Sequence, residues 1–175
     1  GLTDIFLLGN LVGNRLYLNE GGFSFKDVSE AAGIMAADTW NSAVALADVN
    51  CDGLTDIYIC TSIVKDPAKR RNKLFINKGV SNGVPVFAEE SAAYGLDDNG
   101  HSSGAAFFDY DNDGDLDLYV LTNTIERGIP TSYRPKITDG SALNTDRLYR
   151  NNGNGTFTNV SKEAGIVYEC YGLGI

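Results

Sequence analysis

Two nine-residue stretches set oxygen-bearing side chains at alternate positions and close on an aspartate. They are Asp48-Val49-Asn50-Cys51-Asp52-Gly53-Leu54-Thr55-Asp56 and Asp109-Tyr110-Asp111-Asn112-Asp113-Gly114-Asp115-Leu116-Asp117. We call them loop one and loop two. Positions one, three, five and nine carry side-chain oxygens, and position six is Gly. Alternate oxygens on a tightly curled loop converge on one point, and the Gly permits the sharp turn. The backbone carbonyl at position seven can face the same point. Hard oxygen ligands, roughly six to eight in a flexible cage, suit Ca²⁺. Mg²⁺ demands a tight octahedron and keeps its waters, and zinc would want His or Cys. The last ligand falls at position nine and not twelve, so the loop is not that of a helix–loop–helix calcium site. An Asp/Asn/Gly-rich hairpin turn without metal is the alternative. Against it stands the repulsion of carboxylates gathered round one point with no cation.

The wider composition agrees with a cation-binding surface. The 175-residue chain carries a net charge of −9, and its aspartates concentrate in three short segments around Asp4, loop one and loop two. Acidic surfaces repel phosphate backbones, so nucleic acid is not an expected partner. With 43% apolar and 21% charged residues the sequence reads as globular. No apolar run is long enough for a membrane-spanning helix, and no signal peptide opens the sequence. Cys51, Cys60 and Cys170 are widely spaced and make no zinc pattern. A strand from Asp56 to Cys60 would hold Cys51 and Cys60 towards opposite ends, a poor geometry for a disulfide. Free thiols and pairing with cysteines outside this sequence both remain open.

The elements that position the loops are repeated. Asn14-Arg15-Leu16-Tyr17-Leu18-Asn19, Asn72-Lys73-Leu74-Phe75-Ile76-Asn77 and Asp146-Arg147-Leu148-Tyr149-Arg150-Asn151 share one pattern. Each is followed by a Gly-containing turn and a second shared segment opening at Phe25, Phe87 or Phe157, then by Gly33-Ile34, Gly95-Leu96 or Gly165-Ile166. Asp4, Asp56 and Asp117 are equivalent, 52 and 61 residues apart. A period of that size, built of short β-branched and aromatic runs with Asn-Gly turns, predicts four-stranded propeller blades. The expected fold is all-β: antiparallel four-stranded blades, about three of a larger ring, the chain beginning and ending in mid-repeat. The first strands are Ser42–Asp48 and Ser103–Asp109, crowded with small residues as a position near a propeller axis requires. The second are Asp56–Thr61 and Asp117–Thr122. The expected divisions are a partial blade at 1–34, full blades at 35–96 and 97–166 with an insertion at 124–145, and the first strand of a further blade at 167–175. Remaining blades of a longer parent chain are expected to cover the open faces.

At this level the sequence resembles the FG-GAP or VCBS-type repeats of integrin α-chain-like propellers. The run Arg147 to Phe157, Arg-Leu-Tyr-Arg-Asn-Asn-Gly-Asn-Gly-Thr-Phe, is especially similar to the bacterial and cartilage-acidic-protein branch. The resemblance implies a β-propeller, commonly seven-bladed, with Ca²⁺ in the loop joining a blade's first two strands. By position, the implied ligands in loop one are Asp48, Asn50, Asp52, the Leu54 carbonyl and Asp56. In loop two they are Asp109, Asp111, Asp113, the Asp115 carbonyl and Asp117, and Asp4 would be the last ligand of a truncated site. Cys51 departs from the small polar residue usual at its position, and its side chain is expected to point away from the metal.

Strands running up and down put the acidic loops on one face and the loops between second and third strands on the other. The latter grow from repeat to repeat, so recognition of a protein or glycan partner is expected there. Lys65, Lys69, Arg70, Arg71 and Lys73 make a basic loop, and Tyr133, Arg134 and Lys136 lie in the long insertion. Either segment could serve a partner; a solvated loop and a neighbour-packing insertion are the plain alternatives. Trp40, His101 and Tyr171 are equivalent and read as entry positions to the inner strands. Asn159-Val160-Ser161 is a glycosylation sequon.

Three functions compete. The first is a calcium-stabilised interaction or adhesion module of a secreted or cell-surface protein. The second is the propeller scaffold of a carbohydrate-active enzyme such as a polysaccharide lyase, and the third is a structural repeat of a surface layer or filament. No nucleophile–base pair or paired carboxylates stand outside the acidic loops, so the first is expected, with calcium as a clamp and no catalysis within this chain.

Overall fold

A computed structural model describes residues 1–123, 135–172 and 174. They form three antiparallel sheets. The first is β1 (Ile5–Leu7), β2 (Arg15–Gly21) and β3 (Ser24–Asp27), in that order. The second is β4 (Asn41–Ala47), β5 (Asp56–Thr61), β6 (Lys73–Ser81) and β7 (Val84–Glu89). The third is β8 (Ser102–Phe108), β9 (Asp117–Thr122), β10 (Arg147–Asn151) and β11 (Phe157–Asn159). A single turn of helix, α1 (Ser91–Tyr94), follows β7. No helix among the described residues is long and apolar enough to cross a membrane.

Alternation of side chains along each strand builds the core. Every residue of β5 is buried, because its two faces pack into clusters with the third and the first sheet. Tyr58 and Cys60 point one way, joining Leu74 and Ile76 against Leu118, Val120, Tyr149 and Phe157 of the third sheet. Ile57 and Ile59 point the other way with Phe75, against Leu16, Val28, Ile34 and the first sheet. Tyr58 meets Phe107 edge to face, with ring centroids 6.0 Å apart. The alanines of β4 face the cluster shared with the third sheet, where only small side chains let the strands approach. The hydroxyl of Ser42 donates to the Ser102 carbonyl at 2.6 Å across that approach.

The β6–β7 hairpin turns on Asn82-Gly83, with φ of 51° and 78°. Two successive positive φ angles match the right-handed twist of a hairpin, which is why Asn and Gly occupy them. The three cysteines are free: Cys51 exposed, Cys170 half-buried, Cys60 buried. Burial, and then the charge of Asp98, pushes the Cys60 thiol up to about 12.

Candidate metal centre

Loop one joins β4 to β5 and loop two joins β8 to β9, so each links neighbouring strands of one sheet at the same end. The backbone of both is fixed in the same way. Gly53 and Gly114 have φ of 85° and 96°, where a side chain is strained. The residue two places earlier is also left-handed, at 58° for Cys51 and 62° for Asn112. Asn tolerates that conformation better than Cys.

The aspartate at position nine is the anchor of each loop. Asp56 Oδ2 accepts the Val49 N–H at 3.0 Å, and Asp117 Oδ2 accepts the Tyr110 N–H at 3.0 Å. Their other oxygens accept an N–H from the third strand, Asn77 at 2.8 Å and Asn151 at 2.9 Å. Asp4 Oδ1 accepts the Asn19 N–H at 2.8 Å in the same arrangement. The three asparagines do more. Their amides donate to the carbonyl preceding each aspartate: Thr3 at 2.9 Å, Thr55 at 3.3 Å and Leu116 at 3.2 Å. Their Oδ1 atoms accept the N–H of Gly21, Gly79 and Gly153, bending the chain into the following hairpin. In the sequence these residues stand only as ends of a repeated segment. The recurring Asn-x-Gly triplet was the signal for their role.

Loop two gathers carboxylates. Asp109, Asp111 and Asp117 each bring an oxygen within 4.8 Å of the other two. No other trio of acidic, His or Cys side chains meets that closely among the described residues. Burial raises the Asp117 pKa, with the charges of Asp111 and Asp113 adding to it, while N–H bonds from Tyr110 and Asn151 oppose the rise. Asp115 is raised by burial and then by Asp113 and Asp117. Its Oδ1 is buried without a hydrogen-bond partner. Asp113 lies outside the trio and accepts the Asp115 N–H at 3.1 Å. The convergent carboxylates of Asp109, Asp111 and Asp117 fit a hard divalent cation.

Loop one is more closed upon itself. Asp48 accepts the N–H of Asp52 at 3.0 Å and of Gly53 at 2.8 Å. The Asn50 amide donates to Asp52 Oδ2 at 3.0 Å, and Asp52 Oδ1 accepts the Leu54 N–H at 2.8 Å. Burial raises the Asp56 pKa, N–H bonds from Asn77 and Val49 oppose this, and Asp52 and Asp48 contribute smaller increases.

The basic residues lie near the ends of β5 and β6 remote from the acidic loops, and they divide. Lys65 and Lys69 are exposed. Arg70 is 5% exposed, so most of its surface is withdrawn from solvent. Its guanidinium turns inward and donates to the carbonyls of Asn99 at 2.8 Å and Val64 at 2.5 Å. Arg71 is paired with Asp97. His101 is half-buried and its Nδ1 accepts the Ile63 N–H at 3.1 Å. Burial, then the charge of Arg70, lowers its pKa. Lys136 is exposed, and Tyr133 and Arg134 lie outside the described residues.

Repeated antiparallel sheets, two of which join their first two strands by an Asp-rich nine-residue loop, define a class of repeat protein built from stacked β modules. The model of the FG-GAP-like repeat matches residues 1–59 and 63–120, and the chain belongs to that family. Each matched stretch contains one complete acidic loop. Among curated proteins the chain has no match.

Proposed function

We propose that this chain is a calcium-binding β-propeller module of a secreted or cell-surface protein, in which Ca²⁺ clamps neighbouring strands and a protein or glycan partner binds the opposite face. The meeting of Asp109, Asp111 and Asp117 within 4.8 Å carries the reading. Family membership supports it. In loop two those three residues, Asp113 and the Asp115 carbonyl would hold the ion. In loop one Asp48, Asn50, Asp52, the Leu54 carbonyl and Asp56 would do so, and Asp4 would close a third site. The cation offsets repulsion among the carboxylates and ties the first strand of a sheet to the second. The partner face would present Lys65 and Lys69, which suit an acidic glycan or protein surface, together with Lys136.

Calorimetric titration of the chelated chain with CaCl₂ tests this reading. Saturable heat that is lost in part with Asp109→Ala and in part with Asp48→Ala is expected. No heat at saturating metal would refute it.

A further inference from the structure

One residue touches both acidic loops. The Asn151 side-chain amide donates to the Leu116 carbonyl of loop two at 3.2 Å and to the Val49 carbonyl of loop one at 3.3 Å. Asn151 is 5% exposed and Val49 is 3% exposed, so little water competes for these bonds. We propose that Asn151 couples the two loops, so that a cation held in one raises the affinity of the other. The proposal rests on the calcium reading above.

The physical path is short. Val49 lies between Asp48 and Asn50, two ligands in that reading, and its N–H holds Asp56, a third, at 3.0 Å. A cation that fixes those three oxygens also fixes the direction of the Val49 carbonyl. That carbonyl holds the Asn151 amide. The same residue holds Asp117 through its backbone N–H at 2.9 Å and the adjacent Leu116 carbonyl through its side chain. Filling loop one therefore removes part of the ordering cost at the anchor of loop two. Linkage makes the effect reciprocal. Asn77 occupies the equivalent position for loop one and holds Asp56 and the Thr55 carbonyl in the same way. It provides a matched control.

The test is a Ca²⁺ titration of the chain followed by NMR, reading the amide signals of Gly53 and Gly114 as reporters of the two loops. Asp111→Ala disables loop two. In the otherwise native chain this should weaken loop one by about fivefold, the lower end of usual coupling. Asn151→Asp keeps the acceptor for the Gly153 N–H but removes the amide donor. In that background Asp111→Ala should leave loop one unchanged. In Asn77→Asp, which adds the same charge, the fivefold effect should persist. An unchanged or tighter loop one in the native chain with Asp111→Ala overturns the coupling, as does coupling that survives Asn151→Asp; calcium binding itself then stands. If neither glycine signal responds to saturating Ca²⁺, the calcium reading fails, and the coupling with it.

Discussion

Loop one and loop two occupy the same place in successive sheets, yet they manage their oxygens differently. In loop one, Asn50 replaces one carboxylate and donates to Asp52, and both oxygens of Asp48 take backbone N–H bonds. In loop two, the equivalent residue is Asp111, which lacks an amide donor, and its oxygen joins those of Asp109 and Asp117. Asp115 adds a further acid with a buried, unpartnered oxygen. One backbone template thus gives a loop that largely satisfies itself and another that leaves charge to be neutralised from outside. The difference turns on a few side chains.

Chelation is the strongest way to break this comparison. A filled site stabilises by about 2.7 kcal/mol when free Ca²⁺ is about 100-fold above Kd. That corresponds to roughly 5–10 °C in Tm for a chain of this size. A thermal melt with and without chelator measures it, and the chelated chain should also be cut faster by protease near Asn50 and Asn112. Identical melts would mean that neither loop is a clamp.

Single-site removal comes next. Asp109→Ala should cost the larger share of the calcium-dependent shift and Asp48→Ala the smaller, because loop two offers more carboxylates to the ion. Equal losses would show that carboxylate count does not rank the loops.

Converting one loop towards the other gives a smaller effect. Asn50→Asp supplies the missing carboxylate and removes the amide that occupies Asp52. Loop one should then bind Ca²⁺ on the order of tenfold more tightly. Calorimetry showing unchanged or weaker binding would refute this expectation.

The smallest effect is conformational. Cys51 has φ of 58°, where loop two uses Asn112. Cys51→Asn should stabilise the chain by about 0.5–1 kcal/mol, and Asn112→Cys should cost a similar amount. Urea midpoints at fixed free Ca²⁺ measure both changes. A lower midpoint for Cys51→Asn would show that the thiol contributes something beyond its backbone.

Much of this arrangement was legible in the sequence because its signals are local. The second strands run from Asp56 to Thr61 and from Asp117 to Thr122, as the repeat predicts. The first strands start one residue earlier than expected, at Asn41 and Ser102, whose polar side chains are buried. The burial of Arg70 is not legible in the same way. In sequence Arg70 is one cation in a basic run, while its burial depends on carbonyls at Val64 and Asn99 that only folding brings together. The bridge from Asn151 to Val49 spans 102 residues, and no periodicity in the chain could announce it. The nine-residue spacing marks both loops equally and does not show that it is loop two that brings three carboxylates together.

The burial of Cys60 between the second and third sheets gives the chain an internal clock. A thiol reagent should reach exposed Cys51 at once and half-buried Cys170 more slowly. It should reach Cys60 only when those two sheets part, since the thiolate is the reactive form and burial suppresses it. The ratio of Cys60 to Cys51 labelling rates then reads how often the sheets separate under native conditions, without denaturant. Adding Ca²⁺ should lengthen the Cys60 interval if opening of the sheets loosens the acidic loops. Equal labelling rates for the two thiols would mean that this seam stands open in solution.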